Sequence, residues 1–227
     1  MNARHSQLAT LCLLLLALAV ASGRTLAQTS LQVEPGLTIP DSKTPWALEN
    51  FQGKKQLVPI HHSEVTLNRH SGANFAGSLA ESFFYKPKLT SELKGLNSRT
   101  QLHSQTPVIY LLIDTDQDEA GDGKSADSWS FILVRAQQDK DKDKRVIDSL
   151  AFTQFTGNAK RKMEVIETDT TQMPNHWYRI QPKTAMPEGE YALLPVWKAK
   201  GTSSTMVWDF GINLNAPNEA DVVPETH

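Results

Sequence analysis

Met206-Val207-Trp208-Asp209-Phe210-Gly211-Ile212-Asn213-Leu214 alternates from end to end: Met206, Trp208, Phe210, Ile212 and Leu214 are apolar, and the residues between them, Val207 excepted, are polar or small. Successive side chains of an extended strand point to opposite faces, so these five share one side. On a helix they would scatter around the axis. The stretch predicts a strand with a core face and a mostly wet face carrying Val207, Asp209, Gly211 and Asn213.

The same period governs the chain upstream. Ser63-Glu64-Val65-Thr66-Leu67 alternates, and Val108-Ile109-Tyr110-Leu111-Leu112-Ile113 is a continuous apolar run of strand length, as expected of a strand covered on both faces. Trp129 to Val134 is similar. Pro187-Glu188-Gly189-Glu190 supplies a turn before Tyr191-Ala192-Leu193-Leu194. Asp139-Lys140-Asp141-Lys142-Asp143-Lys144-Arg145 joins two β-rich runs, and alternating charges of this density predict a solvated hairpin tip. One short helix is expected over residues 74–83, where Phe75, Leu79 and Phe83 recur every fourth position. Short strands with frequent turn signals predict an all-β fold, a single-domain antiparallel β-sandwich.

The two ends read differently. Residues 1–27 have a polar start with Arg4 and His5, an apolar run from Leu8 to Val20, and small residues suited to cleavage after Ala21 or Ala27. That pattern is a secretory signal peptide, and the run is too short to span a bilayer. The expected product is therefore exported to the periplasm, envelope or exterior, with no membrane span in its mature form. Residues 28–56 carry Pro35, Gly36, Pro40, Pro45 and Gly53 and predict an extended arm that Trp46, Leu48 and Phe51 dock onto a sandwich at 57–215. Residues 216–227 are expected to be a flexible tail.

Composition narrows the function classes. The formal net charge of −2 becomes −4 once the leader takes Arg4 and Arg24 away, which argues against nucleic-acid binding. The single cysteine, Cys12, lies in the leader. A mature chain without thiols has no disulfides, thiolate metal sites or cysteine nucleophile, so burial must stabilise it. An exported chain without disulfides fits a bacterial setting.

Four phrases, Leu57-Val58-Pro59-Ile60-His61-His62-Ser63, Leu93-Lys94-Gly95-Leu96-Asn97-Ser98, Pro187-Glu188-Gly189-Glu190-Tyr191-Ala192-Leu193 and Trp208-Asp209-Phe210-Gly211, resemble recurring phrases of uncharacterised exported bacterial β-sandwich proteins. The resemblance implies fold and compartment and carries no activity with it.

The sharpest chemical motif is Asp114-Thr115-Asp116-Gln117-Asp118-Glu119-Ala120-Gly121-Asp122-Gly123, directly after a strand. Calcium takes six to eight oxygens, and carboxylates at alternate positions of a turning loop converge on one volume. Asp114, Asp116, Asp118 and Asp122 are the candidate ligands. Glu119 and Ser125 stand where an EF-hand has glycine and glutamate, and a plain acidic connection has the same composition. Both readings stay open. His61, His62 and His70 offer imidazoles for zinc, but neighbours in a strand face opposite ways, so one histidine is expected to pack and another to face solvent.

A hydrolytic serine elbow is missing, and Asp209-Phe210-Gly211 lacks every companion motif of a kinase. Trp129 and Trp208 are assigned to the core, leaving Trp177, Tyr178 and Trp197 as candidates for stacking on sugar rings. The expected function is a non-catalytic binding or structural module with a protein or glycan partner. The alternatives are a carboxylate-dependent hydrolase and a calcium-stabilised carbohydrate-binding module.

Overall fold

The computed structural model describes residues 30–40, 44–70, 88–113, 129–152, 159–197, 202–203 and 206–225. The expected leader, the helix over 74–83 and the acidic loop lie outside them. Leu31–His227 is one compact unit.

Gln32–Glu34 (β1) and Leu37–Thr38 (β2) form a small ribbon, turned by Gly36 at φ 76°. Trp46–Phe51 (β3) and Lys54–Pro59 (β4) form a hairpin. His62–Glu64 (β5), Thr66–His70 (β6), Lys88–Lys94 (β7), Thr100–Leu102 (β8) and Val108–Leu112 (β9) follow. Trp129–Asp139 (β10) and Lys144–Phe152 (β11) make a long hairpin around a 3-10 turn at Lys140–Lys142. The chain ends with Ala159–Lys162 (β12), Glu164–Ile166 (β13), Thr168–Gln172 (β14), Trp177–Pro182 (β15), Gly189–Trp197 (β16), Thr202–Ser203 (β17), Met206–Ile212 (β18) and Val223–Pro224 (β19).

One sheet has the order β14-β15-β9-β3-β4-β19. The other runs β5-β18-β16-β10-β11-β7-β6, with β8, β12, β13 and β17 pairing alongside. The pairings are antiparallel except β8, which runs parallel to β18. Glu167 separates β13 in one sheet from β14 in the other, so the chain changes sheets there. Among the described residues no helix is long and apolar enough to cross a membrane.

The two sheets close over one apolar layer. Ala47, Val58, Ile109, Leu111 and Ile180 from the smaller sheet meet Leu133, Tyr191, Leu193, Phe210 and Ile212 from the larger. Each large side chain taken out of water there contributes about 1.5–3 kcal/mol. Phe131 meets Tyr178 edge-on at 5.1 Å, and Tyr191 stacks on Phe210 at 5.8 Å. Burial raises the Tyr191 pKa, and its hydroxyl donates to the Pro187 carbonyl at 2.6 Å. This phenol bonded back to its own turn staples the start of β16, as a tyrosine corner does in other sandwiches.

Both sheets are also apolar on their outer faces. Over the smaller sheet, Leu37 and Ile39 cover Trp46, Tyr110 and Trp177, so β9 is covered on both sides as its continuous run predicted. The segment read as an arm is therefore split. Its first part, β1–β2, packs on the sheet through Leu37, while β3 and β4 are inner strands of the sheet, because Trp46, Ala47 and Leu57 reach its two buried faces.

Over the larger sheet, Val207, Ala192, Leu194 and Val134 pack with Leu93 and Ile147 in a second apolar compartment. The strand face expected to be mostly wet is dry at Val207 and Asp209, at 1% and 3% exposure, and exposed only at its far end, at Asn213. The reason is curvature. Three steps of about 4.8 Å would hold β11 about 14 Å from β18 in a flat sheet, yet Arg145 of β11 touches Asp209 of β18 at 2.6 Å. The sheet rolls so that β11 and β7 lie over its own back. A bulge between Val146 and Asp148 accompanies the roll.

The expected tail is also tied down. Residues 213–225 form a strap that leaves β18 and crosses to the smaller sheet, where β19 pairs with β4.

Candidate functional site

Arg145 closes the charged run of the hairpin, and only the start of that run is solvated. Residues 140–143 are exposed, whereas Lys144 and Arg145 are buried. Neighbouring strand residues face opposite ways, which sends the two cations to different partners. The Arg145 guanidinium donates to Glu190 at 3.1 Å, Asp209 at 2.6 Å, the Gly95 carbonyl at 3.1 Å and the Lys94 carbonyl at 3.2 Å. One cation against two carboxylates leaves an excess negative charge. The Ser98 amide, 2.7 Å from Glu190, and the Gln101 side chain, 3.3 Å from it, offset part of that excess.

Lys144 instead meets Glu92 at 2.5 Å, with Thr90 and Asn68 also donating to that carboxylate. Burial alone would raise the Glu92 pKa. The hydrogen bonds from Lys144, Thr90 and Asn68 outweigh it and lower the value to about 2.

Gln101 reaches Glu190 by crossing a glycine. In the register Gln101 lies opposite Gly211, and Gly211 opposite Glu190. A Cβ on Gly211 would sit 2.3 Å from the Gln101 amide. Only a residue without a side chain leaves room for that amide to lie flat over β18. This is the physical role of the glycine in Asp209-Phe210-Gly211.

Above this row lies an open depression of about 390 Å³. Its rim is rich in primary amides: Asn97, Gln101, Gln138, Asn213 and Asn215, with Glu188 beside them. Gln138 donates to the Leu96 carbonyl and to Asn97, and Glu188 accepts from the Leu214 amide at 2.9 Å. Gly189, at φ 148°, brings the turn against Arg135, whose Nη2 atom would lie 3.3 Å from a Cβ there. The strap supplies one wall of the depression through residues 213–217.

No family model matches the chain, and neither a curated protein nor a solved structure matches it. The site therefore has to be read from its own chemistry.

A second polar group lies beneath the strap. Glu49 is fully buried in β3 and His103 nearly so. The Glu49 carboxylate accepts from His103 Nδ1 at 2.9 Å, from Gln56 at 2.8 Å, and from the backbone amides of His103 at 2.5 Å and Ser104 at 3.2 Å. The other ring nitrogen of His103 faces the Ala216 carbonyl at 3.0 Å, and Phe51 packs on the ring at 4.3 Å.

The residues singled out from sequence fare unevenly. Asp114, Asp116, Asp118 and Asp122 lie outside the described residues, in the sequence between β9 and β10. Among the described residues no three His, Asp or Glu side chains gather to hold a metal ion. His61 is partly buried and faces Asp221 at 3.6 Å, while His62 is exposed. Trp177 and Tyr178 do not offer a stacking face, because both are buried, at 1% and 5% exposure, in the two apolar layers flanking β15.

Sequence reasoning missed Arg145, Glu190, Asp209, Glu49 and His103. One signal was legible: Arg145, at the end of a charge run, shares its strand face with the apolar Ile147.

Proposed function

We propose that this chain is an exported bacterial β-sandwich protein of the periplasm, envelope or exterior that works by binding, with the amide-rimmed depression as its recognition surface. The carrying observation is the amide rim together with the two buried carboxylates below it, both paired with Arg145. A primary amide presents a donor and an acceptor in one plane, which matches the vicinal hydroxyls of a sugar. Two of the five, Gln101 and Gln138, already direct their N–H groups at Glu190 and at Leu96 and Asn97, and the set of amides gathered around one depression suits a neutral glycan. A general base must offer a free lone pair to a substrate proton. Glu190 and Asp209 are buried against Arg145, and Glu188, the exposed carboxylate of the rim, accepts from the Leu214 amide, which favours binding over the carboxylate-dependent hydrolase.

The test is an NMR titration of the labelled protein with a panel of neutral oligosaccharides. Side-chain amide shifts at Asn97, Gln101, Gln138, Asn213 and Asn215 support the reading. Shifts confined to other faces, or cleavage of the sugar, overturn it. Export is checked by the mass of the protein recovered from its native host, which should lack about 21–27 residues. A calcium-stabilised form would tie β9 to β10 through Asp114, Asp116, Asp118 and Asp122. Added calcium would then raise the melting temperature, chelator would reverse the rise, and Asp114→Ala would abolish it.

A further inference from the structure

We propose that His103 is a proton-operated clasp: its doubly protonated ring holds the strap of residues 213–225 against the sandwich, and loss of one proton lets the strap lift. The inference stands on the hydrogen-bond geometry and does not depend on the glycan.

Both neighbours of the ring are acceptors. Glu49 receives four donors, two on each oxygen, which is the environment of an ionised carboxylate. The Ala216 carbonyl has no proton to give. A neutral imidazole has one N–H and one bare lone pair, so it can satisfy only one of these partners. Distances of 2.9 Å to Glu49 and 3.0 Å to Ala216 therefore require a proton on each nitrogen. When pH rises and one proton leaves, the carboxylate keeps the remaining N–H because a charged acceptor binds it more strongly. The bare nitrogen then faces the Ala216 carbonyl, and attraction becomes repulsion between lone pairs.

The strap's other attachments are the Asn213 backbone amide on the Leu102 carbonyl, the Leu214 amide on Glu188, the reciprocal amide pair of Asn218 and Gln56, Glu219 accepting from the Gln101 backbone amide, Asp221 beside His61, Val222 and Val223 packed on the two apolar layers, and the short β19 pairing on β4, so the Ala216 contact fixes the stretch between Asn213 and Asn218. The titratable groups on the surrounding elements are Glu49 on β3, Lys54 and Lys55 on β4, His61 before β5, and Glu219, Asp221 and Glu225 on the strap. Of these, only Glu49 is bonded to the ring among the described residues. His61, beside Asp221 at 3.6 Å, is the other histidine against the strap, and its substitution serves as the control. A lifted strap would bare the β4 edge and remove a wall of the depression.

The experiment is hydrogen exchange of the full chain at about pH 5.5 and pH 8.5, corrected for intrinsic rates, with the ring nitrogens followed by 15N NMR. Protection across residues 213–225 should fall about tenfold at the higher pH. The midpoint should coincide with the loss of one His103 ring proton. His61→Gln should keep the effect, whereas His103→Gln should show low protection at both pH values. Equal protection at the two pH values, a ring singly protonated at pH 5.5, or an effect that disappears in His61→Gln would each overturn the clasp. If His103→Gln fails to fold, the coincidence of the two midpoints in the unaltered protein still decides the matter.

Discussion

The two compartments on either side of the larger sheet are held together differently. Between the sheets, the interior is almost wholly apolar, with Leu193, Phe210 and Ile212 at 0–2% exposure. Behind the sheet, a smaller apolar cluster sits beside a buried arginine and two buried carboxylates. The first compartment needs only shape and greasiness, and conservative apolar exchanges there cost little. The second is specified by charge: a buried ion pair contributes little net stability, but breaking it strands an ion away from water. The rolled sheet thus depends on polar register where the flat interface depends on packing.

The largest expected effect follows from Arg145. Arg145→Met should destabilise the protein by about 4 kcal/mol in urea unfolding, because Glu190 and Asp209 are left buried without their cation. Adding Glu190→Gln and Asp209→Leu should recover much of that loss. If Arg145→Met alone costs no more than an exposed substitution, the second compartment is not charge-specified.

Acid should act next, through Glu92. Its folded pKa of about 2 lies below the usual 4.5, so its contribution is complete above that ordinary value and is lost as pH falls towards 2. At most about 3 kcal/mol is at stake. Lys144→Met should flatten the dependence of unfolding free energy on pH between about 4.5 and 2.

Gly211→Ala should cost about 2 kcal/mol, as overpacking does, and should displace Gln101 from Glu190. A shifted Gln101 side-chain amide resonance with the core resonances unmoved would confirm the local cause. The smallest effect belongs to the exposed end of the charged run. Lys140→Ala and Lys142→Ala should change stability by no more than about 0.5 kcal/mol, sharpening the contrast with Arg145 five residues away from the first of them.

The strand content of this protein was legible because alternation is local. Trp208, Phe210 and Ile212 could be assigned to one buried face, Val108 to Leu112 to a strand covered twice, and the Pro187-Glu188-Gly189 turn to the start of a strand, from neighbours in sequence alone. The proline-rich 28–56 segment misled for a related reason. Pro45 precedes a hairpin whose turn holds Gly53, and composition does not distinguish a punctuated hairpin from an arm.

What alternation could not reveal is which polar faces become dry, since that depends on how far a sheet rolls. Asp209 reads as a solvent residue until β11 is brought over the back of β18. Glu49 and His103 are separated by 54 positions and meet only when β3 and the chain after β8 come together. Local periodicity determined the strands and their greasy sides. The curvature of the larger sheet and the path of the strap, both sums of long-range pairings, decided where the charges are buried and hence where the candidate site lies.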